Sequence, residues 1–71
     1  MNDATVKFII SRVIEYANDA AEEAKGNNDD FYKGRKLAYY EILDTIKNEL
    51  EATDQDLEEL GLDIDLDKTF L

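Results

Sequence analysis

Apolar residues near the start of the chain recur at alternating steps of four and three, the period of an amphipathic α-helix. The stripe consists of Val6, Ile10, Val13, Ala17, Ala20 and Ala24, widened by Ile9, Ile14 and Ala21. Asn2 or Asp3 can cap the first free amides, and Gly26 offers a left-handed stop. The pattern predicts a first helix over residues 4–25.

A second stripe follows a turn-forming segment of one glycine, two asparagines and two aspartates. The stripe consists of Phe31, Tyr32, Ala38, Tyr39, Ile42, Leu43, Ile46 and Leu50. Asp29 or Asp30 can cap this helix, which the spacing predicts over residues 31–52. Because so short a loop makes neighbouring helices antiparallel, the two form a helical hairpin.

A short third helix is predicted over residues 54–60. Gly61 would close it in a Schellman turn, in which Leu57 and Leu62 touch. The alternative is one unbroken helix from Phe31 to Leu60, because the later part of that segment contains neither glycine nor proline.

The remaining residues, 61–71, are predicted to form an amphipathic, extended tail after the domain of residues 1–60. Apolar and acidic residues alternate strictly from Leu62 to Asp67, and a period of two indicates an extended segment with one buried face. Three courses stay open for this tail: along the hairpin, across to a second subunit, or onto another protein.

The size of the chain favours self-association. A core built from 71 residues supplies roughly 3–5 kcal/mol unaided, and small folds usually add a disulfide, a metal or a partner chain. The sequence has neither cysteine nor histidine, so a partner is the remaining route. We therefore expect an all-α protein whose hairpin dimerises into a four-helix bundle.

The net charge limits the classes of molecule that the protein can bind. Eighteen acidic residues against eight basic ones give a formal charge of −10, which repels nucleic acid and anionic lipid. We therefore expect no direct nucleic-acid binding. The charge favours a basic protein partner, or serves only to keep the protein soluble. No apolar run is long enough for a membrane span and no secretory signal is recognisable, so we expect a cytoplasmic protein.

Little in the sequence supports catalysis. Histidine and cysteine are absent, and Ser11 is the only serine, so we expect neither an enzyme nor catalytic residues. Asp63, Asp65 and Asp67 have the spacing of a calcium loop, but Lys68 occupies the position that requires glycine. We therefore expect no metal and no cofactor.

Five residues are candidates for contact with a protein partner. Phe8, Leu37 and Tyr40 are large side chains that fall outside the two stripes, which indicates a second contact surface. Tyr32 and Arg35 are added because tyrosine and arginine are frequent anchors in interfaces. Arg35 has an alternative role, in which its stem packs on aromatic rings and its head reaches a carboxylate at the edge of the bundle.

Two segments carry a family resemblance: FYKGRKLAYYEILDTIK, residues 31–47, and LGLDID, residues 60–65. This half of the chain resembles small hypothetical proteins of Gram-positive bacteria and their mobile elements, which carry no established activity. The resemblance implies a small intracellular helical protein and assigns no functional residue.

These observations favour a non-enzymatic homodimer that acts through protein–protein interaction. The alternative is an acidic inhibitor that mimics nucleic acid and occupies the basic groove of a DNA-processing or phage-defence protein. Strong sensitivity of binding to salt would distinguish the second function from the first.

Overall fold

Two long helices and one short helix make up the computed structural model, which describes residues 2–71. Helix α1 covers Asp3–Lys25, α2 covers Asp30–Ala52, and α3 covers Leu66–Phe70. The hairpin of α1 and α2 confirms both long helices predicted from the apolar spacing. Each begins one residue before its predicted start and ends at the predicted residue.

The starts of the long helices follow the predicted capping. The Asn2 side chain accepts a hydrogen bond of 2.8 Å from the Thr5 amide, and Asp29 accepts one of 2.9 Å from the Phe31 amide. The left-handed stop predicted at Gly26 is wrong, because this residue has φ −94°. Instead, the Glu23 carbonyl of the last turn accepts two hydrogen bonds, from the Gly26 amide at 3.3 Å and from the Asn27 side-chain amide at 2.8 Å.

Helix α2 ends at Ala52, so the alternative of an unbroken helix to Leu60 is wrong. Asp54 takes a left-handed conformation with φ 57°. The Gln55 amide then donates to the Leu50 carbonyl at 2.8 Å, and the Asp54 amide donates to Glu51 at 3.2 Å. These two bonds form a Schellman motif, with aspartate in the position that glycine usually occupies.

The third helix predicted over residues 54–60 is also wrong, because turns occupy residues 57–61. Its predicted end is nevertheless present. Gly61 is left-handed with φ 76°, and the Leu62 amide donates to Leu57 at 2.8 Å while the Gly61 amide donates to Glu58 at 3.1 Å. Two closely spaced left-handed residues, at 54 and 61, leave room for only one turn between them.

The tail is extended only as far as Asp65, and the prediction of an extended segment to residue 71 is wrong. Leu62 and Leu66 are buried and the aspartates between them are exposed, as the alternation predicts. The Asp65 side chain then accepts a hydrogen bond from the Lys68 amide at 3.2 Å and starts α3. A capping aspartate therefore ends the alternating pattern.

The core lies between the hairpin and the tail, so the tail takes the first of its three courses. Leu43, Leu62 and Phe70 are the largest fully buried side chains, one from α2 and two from the tail. The other buried apolar residues are Ile10, Ala17, Ala20, Ala21 and Leu66. The molecule is elongated, with extents of 39 × 20 × 15 Å.

Candidate protein-binding surface

One side of the hairpin is covered by the chain itself, and we call it the tail flank. Here the Tyr40 hydroxyl donates to Asp67 at 2.6 Å, and the Lys47 ammonium donates to the Ile64 carbonyl at 2.7 Å. On α1, Lys7 forms an ion pair with Glu59. Gly61 lies against Ile14, because a Cβ atom added to it would be 3.6 Å from Ile14 Cδ1.

The opposite side of the hairpin is uncovered, and we call it the open flank. It consists of Ile9, Val13 and Tyr16 on α1 and Ala38, Ile42 and Ile46 on α2. Successive helix residues are about 100° apart, so a residue two positions after a tail-flank residue points to the other side. Ile9 follows Lys7 in this way, as Tyr16 follows Ile14 and Ile42 follows Tyr40.

Exposure agrees with this geometry. Ile9 is 44% exposed, Tyr16 44% and Ile42 48%, although Ile9 and Ile42 belong to the stripes predicted to be the core. Ala38, Ile42 and Ile46 line a shallow depression on α2, with Glu41 and Thr45 at its edge. Each apolar stripe is wider than the area that the hairpin and the tail can bury. The outer edge of each stripe therefore remains in contact with solvent.

The open flank carries no acid along its middle, although a quarter of the chain is acidic. Within residues 9–16 of α1 and 38–46 of α2 the acids are Glu15, Glu41 and Asp44, and the helical period turns all three away from the centre of this face. Glu23 and Glu49, seven residues after Tyr16 and Ile42, lie on the same side but beyond its ends. An uncharged apolar face on a highly charged small protein is the kind of surface that takes part in protein association.

Arg12 and Tyr16 form a pair at the α1 edge of the open flank. The Arg12 guanidinium donates to the Tyr16 hydroxyl at 2.9 Å and lies 5.1 Å from the centre of the ring. The hydrogen bond to Tyr16 raises the pKa of Arg12 above its ordinary value. The sequence interpretation overlooked this pair, although an arginine four residues before a tyrosine on a helix is the signal for it.

Two of the five predicted contact residues are engaged within the molecule. Tyr40 contacts the tail, and its hydrogen bond to Asp67 raises its pKa to about 12. Arg35 takes its alternative role: it bridges to Glu23 of α1 at 2.6 Å, and its guanidinium lies 5.8 Å from the centre of the Tyr39 ring. The Arg35 side chain therefore joins the two helices.

The other three predicted contact residues lie apart from one another. Tyr32 is partly buried and meets Phe31 edge to face, with ring centres 5.2 Å apart. Phe8 is 64% exposed beside the turn of residues 59–61, whereas Leu37 is 45% exposed near Leu71 at the loop end of the hairpin. The five residues do not form one surface.

A pocket with several acidic residues in its lining lies where the start of α1 meets the end of α2. Asp3, Asp56 and Glu59 line it above Val6, Leu50 and Leu60. Converging carboxylates can carry out acid–base chemistry. Here, however, Lys7 binds Glu59, and this hydrogen bond raises the pKa of Lys7 above its ordinary value. Both side chains of the pair are about half exposed, so we assign no reaction to this pocket.

Two further findings concern ligands and membranes. Within residues 2–71, histidine, cysteine and acidic side chains form no cluster of three or more suited to a metal ion. Asp65 and Asp67, which have calcium-loop spacing, instead cap α3 and accept the Tyr40 hydrogen bond. Every helix in the described chain is too short or too polar to cross a lipid bilayer.

Comparisons of the chain with family models, with curated proteins and with solved structures gave no match. The resemblance to small proteins of Gram-positive bacteria is therefore untested, and function has to be argued from the surface itself.

Proposed function

We propose that this protein is a non-enzymatic interaction protein that acts as a homodimer through its open flank. The observation that supports the proposal most strongly is the exposure of Ile9, Tyr16 and Ile42 on one uncharged face. Full burial of an exposed apolar side chain contributes roughly 1.5–3 kcal/mol, and side chains that are about half exposed have about half of that still to gain, which favours a partner over solvent. Two hairpins joined in this way would form a four-helix bundle.

The tail changes the expected strength of this dimer. Leu62, Leu66 and Phe70 already close the tail flank, so association depends on the open flank alone. The whole uncovered side of the hairpin, of which the open-flank residues occupy about the middle third, is about 34 Å long and two helices wide, with axes about 9 Å apart, and offers on the order of 600 Å². Two such faces bury about 1,200 Å², the low end of the range for stable complexes, which favours micromolar rather than nanomolar affinity.

A second copy suits the open flank because of its charge. Two molecules of formal charge −10 repel one another over most of their surfaces. The repulsion is weakest where both present an acid-free apolar face. Added salt screens the remaining repulsion, so this dimer should become tighter as the ionic strength rises.

Static light scattering over a dilution series tests the proposal. We expect a mass near twice the 8.1 kDa of one chain at high micromolar concentration, falling toward 8.1 kDa on dilution. Higher salt should shift the midpoint to lower protein concentration. A mass of one chain throughout the series, at low and at high salt, would remove the proposal.

The second candidate function is inhibition by nucleic-acid mimicry. It is favoured by the accessibility of the acids, since no charged residue among residues 2–71 is buried. The four ion pairs of the described chain engage only Glu15, Glu22, Glu23 and Glu59. Many carboxylates thus remain available to a basic groove of a DNA-processing or phage-defence protein.

The dependence of binding on salt concentration distinguishes the homodimer from the nucleic-acid mimic. Binding to a basic partner should weaken steeply as salt rises, because ion pairs across the interface are screened. Titration with a short polylysine provides the probe, followed by calorimetry at low and high salt. Binding that is absent, or unaffected by salt, would exclude the mimic. In either role we propose a cytoplasmic location, which suits a fold that uses no disulfide.

A further inference from the structure

The two edges of the open flank differ in charge. Arg12 lies at the α1 edge, beside Ile9 and Tyr16, whereas Glu41 lines the depression at the α2 edge, beside Ile42. Within its own helix the Arg12 guanidinium bonds the Tyr16 hydroxyl at 2.9 Å and reaches Glu15 only at 3.6 Å, so some of its five N–H donors remain free for a partner. A positive edge and a negative edge on one self-associating face can complement each other across a dimer.

Two arrangements bring the whole open flank of one copy onto that of another. With a two-fold axis parallel to the helices, α1 of one copy packs on α2 of the other. With a two-fold axis perpendicular to the helices, α1 packs on α1 and α2 on α2. The hydrophobic contact is similar in both, so the charged edges decide between them.

The perpendicular axis brings like charges together. Glu41 is the middle residue of Asp30–Ala52, so in a fully overlapped pair it would face Glu41 of the partner subunit. Arg12 lies within a turn of the middle of Asp3–Lys25, so the two arginines would also be neighbours. Like charges placed opposite one another in an interface are unfavourable.

The parallel axis brings unlike charges together. In the hairpin, Glu23 of α1 bridges to Arg35 of α2, so residues whose numbers sum to about 55–58 lie at the same height. Arg12 is therefore level with about positions 43–46 of α2, two to five residues, or roughly one turn, from Glu41. An arginine side chain spans that offset with its long stem.

We propose that the dimer is built with α1 of each copy on α2 of the other, so that Arg12 meets Glu41 of the partner subunit. This inference rests on the proposed homodimer and specifies its geometry. The charged edges then favour the dimer with the parallel two-fold axis and disfavour the dimer with the perpendicular axis.

Single-cysteine cross-linking tests this geometry cleanly, because the chain has no cysteine of its own. Three proteins are made, Arg12→Cys, Glu41→Cys and Ser11→Cys, each with one thiol. Ser11 is exposed on a different face of α1 and provides the control. Each protein alone and each equimolar mixture is treated with a short bis-maleimide, and the products are read on a denaturing gel and by mass spectrometry.

We expect covalent dimer from the mixture of Arg12→Cys and Glu41→Cys, several-fold above either protein alone and above the mixture of Ser11→Cys with Glu41→Cys. Dimer formed mainly from Arg12→Cys alone and Glu41→Cys alone would overturn the geometry. The same conclusion follows if no pair cross-links while light scattering still reports a dimer. If light scattering reports only monomer, the homodimer itself fails as well.

Discussion

Individual side chains divide this small protein into a covered half and an uncovered half. Ile10 and Leu43 are buried beneath Leu62 and Phe70 of the tail, while Ile9 and Ile42, which belong to the same apolar stripes as Ile10 and Leu43, remain almost half exposed. Spacing alone cannot separate these two groups, because both follow the helical period. The side of the hairpin on which the tail lies decides which residues are buried.

Removal of the Phe70 ring tests how much the tail contributes. We expect Phe70→Ala to lower the free energy of unfolding by about 3–5 kcal/mol, because a fully buried ring is lost and a cavity remains. The total free energy of unfolding that a core of this size supplies is little larger than this loss, so the cooperative unfolding transition in urea should almost disappear. Circular dichroism at a concentration where the protein is monomeric provides the measurement.

Phe8→Ala is the matched control for that change, since Phe8 is a phenylalanine that is 64% exposed. We expect its free energy of unfolding to stay within about 0.5 kcal/mol of that of the parent protein. Equal losses from the two substitutions would show that the tail does not bury Phe70 in solution.

Tyr40 reports on the same contact through its pKa. The hydrogen bond to Asp67 raises the pKa of Tyr40 to about 12, above the ordinary value of about 10 in an unfolded chain. The raised pKa means that the folded state favours the neutral phenol. The stabilisation is therefore complete below about pH 10 and is lost as the pH rises through about 12.

We expect Asp67→Asn to lower the pKa of Tyr40 toward its ordinary value, because the substitution removes the negative charge that opposes ionisation. NMR titration with labelled tyrosine can follow this residue apart from the other three. Asp63→Asn is the control, since Asp63 does not contribute to the shift. An unchanged Tyr40 titration in Asp67→Asn would contradict the contact.

At the scale of elements, the sequence predicts what is local and misses what depends on packing. The long helices follow from periodicity and from the capping residues Asn2 and Asp29, all of which lie within the segment they form. The break after Ala52 depends on Asp54 in a left-handed conformation, which any of several acids nearby could have supplied. The sequence shows the alternation of apolar and acidic residues in the tail, but it does not show on which side of the hairpin the tail packs.

The surface was harder to predict than the helices. Tyr32 and Arg35 are predicted contacts because of their residue types and Tyr40 because it falls outside the stripes, but neighbouring elements engage Arg35 and Tyr40 within the molecule. The apolar spacing places Ile42 in the core and does not include Tyr16. A contact surface consists of the apolar residues that stay exposed once all the elements have packed, so its position depends on every element of the fold.

Two glycines should respond to alanine with opposite sign. Gly61 has φ 76°, where an alanine costs about 1–2 kcal/mol, so we expect Gly61→Ala to destabilise the turn that leads into the tail. Gly34 lies inside α2, and apart from its chain neighbours and the backbone of its own helix, no atom of the described chain lies within 4 Å of an added Cβ. Gly34→Ala should therefore stabilise the protein by about 1 kcal/mol, the difference in helix propensity.

Urea unfolding of both variants at the same protein concentration gives the two values. A loss of stability in Gly34→Ala would mean that a second chain contacts this position in solution.

The whole molecule is longer and thinner than a compact domain of its length. Its radius of gyration is 12.8 Å, whereas about 11 Å is typical for 71 residues. A thin molecule has a high ratio of surface to volume, and so only a few residues are fully buried. Pairing through the open flank would thicken the core from two helices and a tail to four helices and two tails, which is the central claim of the proposed function.

Sedimentation equilibrium of three proteins measures that claim most directly: the parent chain, Ile42→Asp and Phe8→Asp. Both substitutions place a new acid at an exposed apolar position, but only Ile42 lies on the open flank. We expect a dimer for the parent and for Phe8→Asp, and a dissociation constant raised at least about 30-fold, some 2 kcal/mol, for Ile42→Asp. A monomeric parent, or a dimer that Phe8→Asp disrupts and Ile42→Asp does not, would contradict the account.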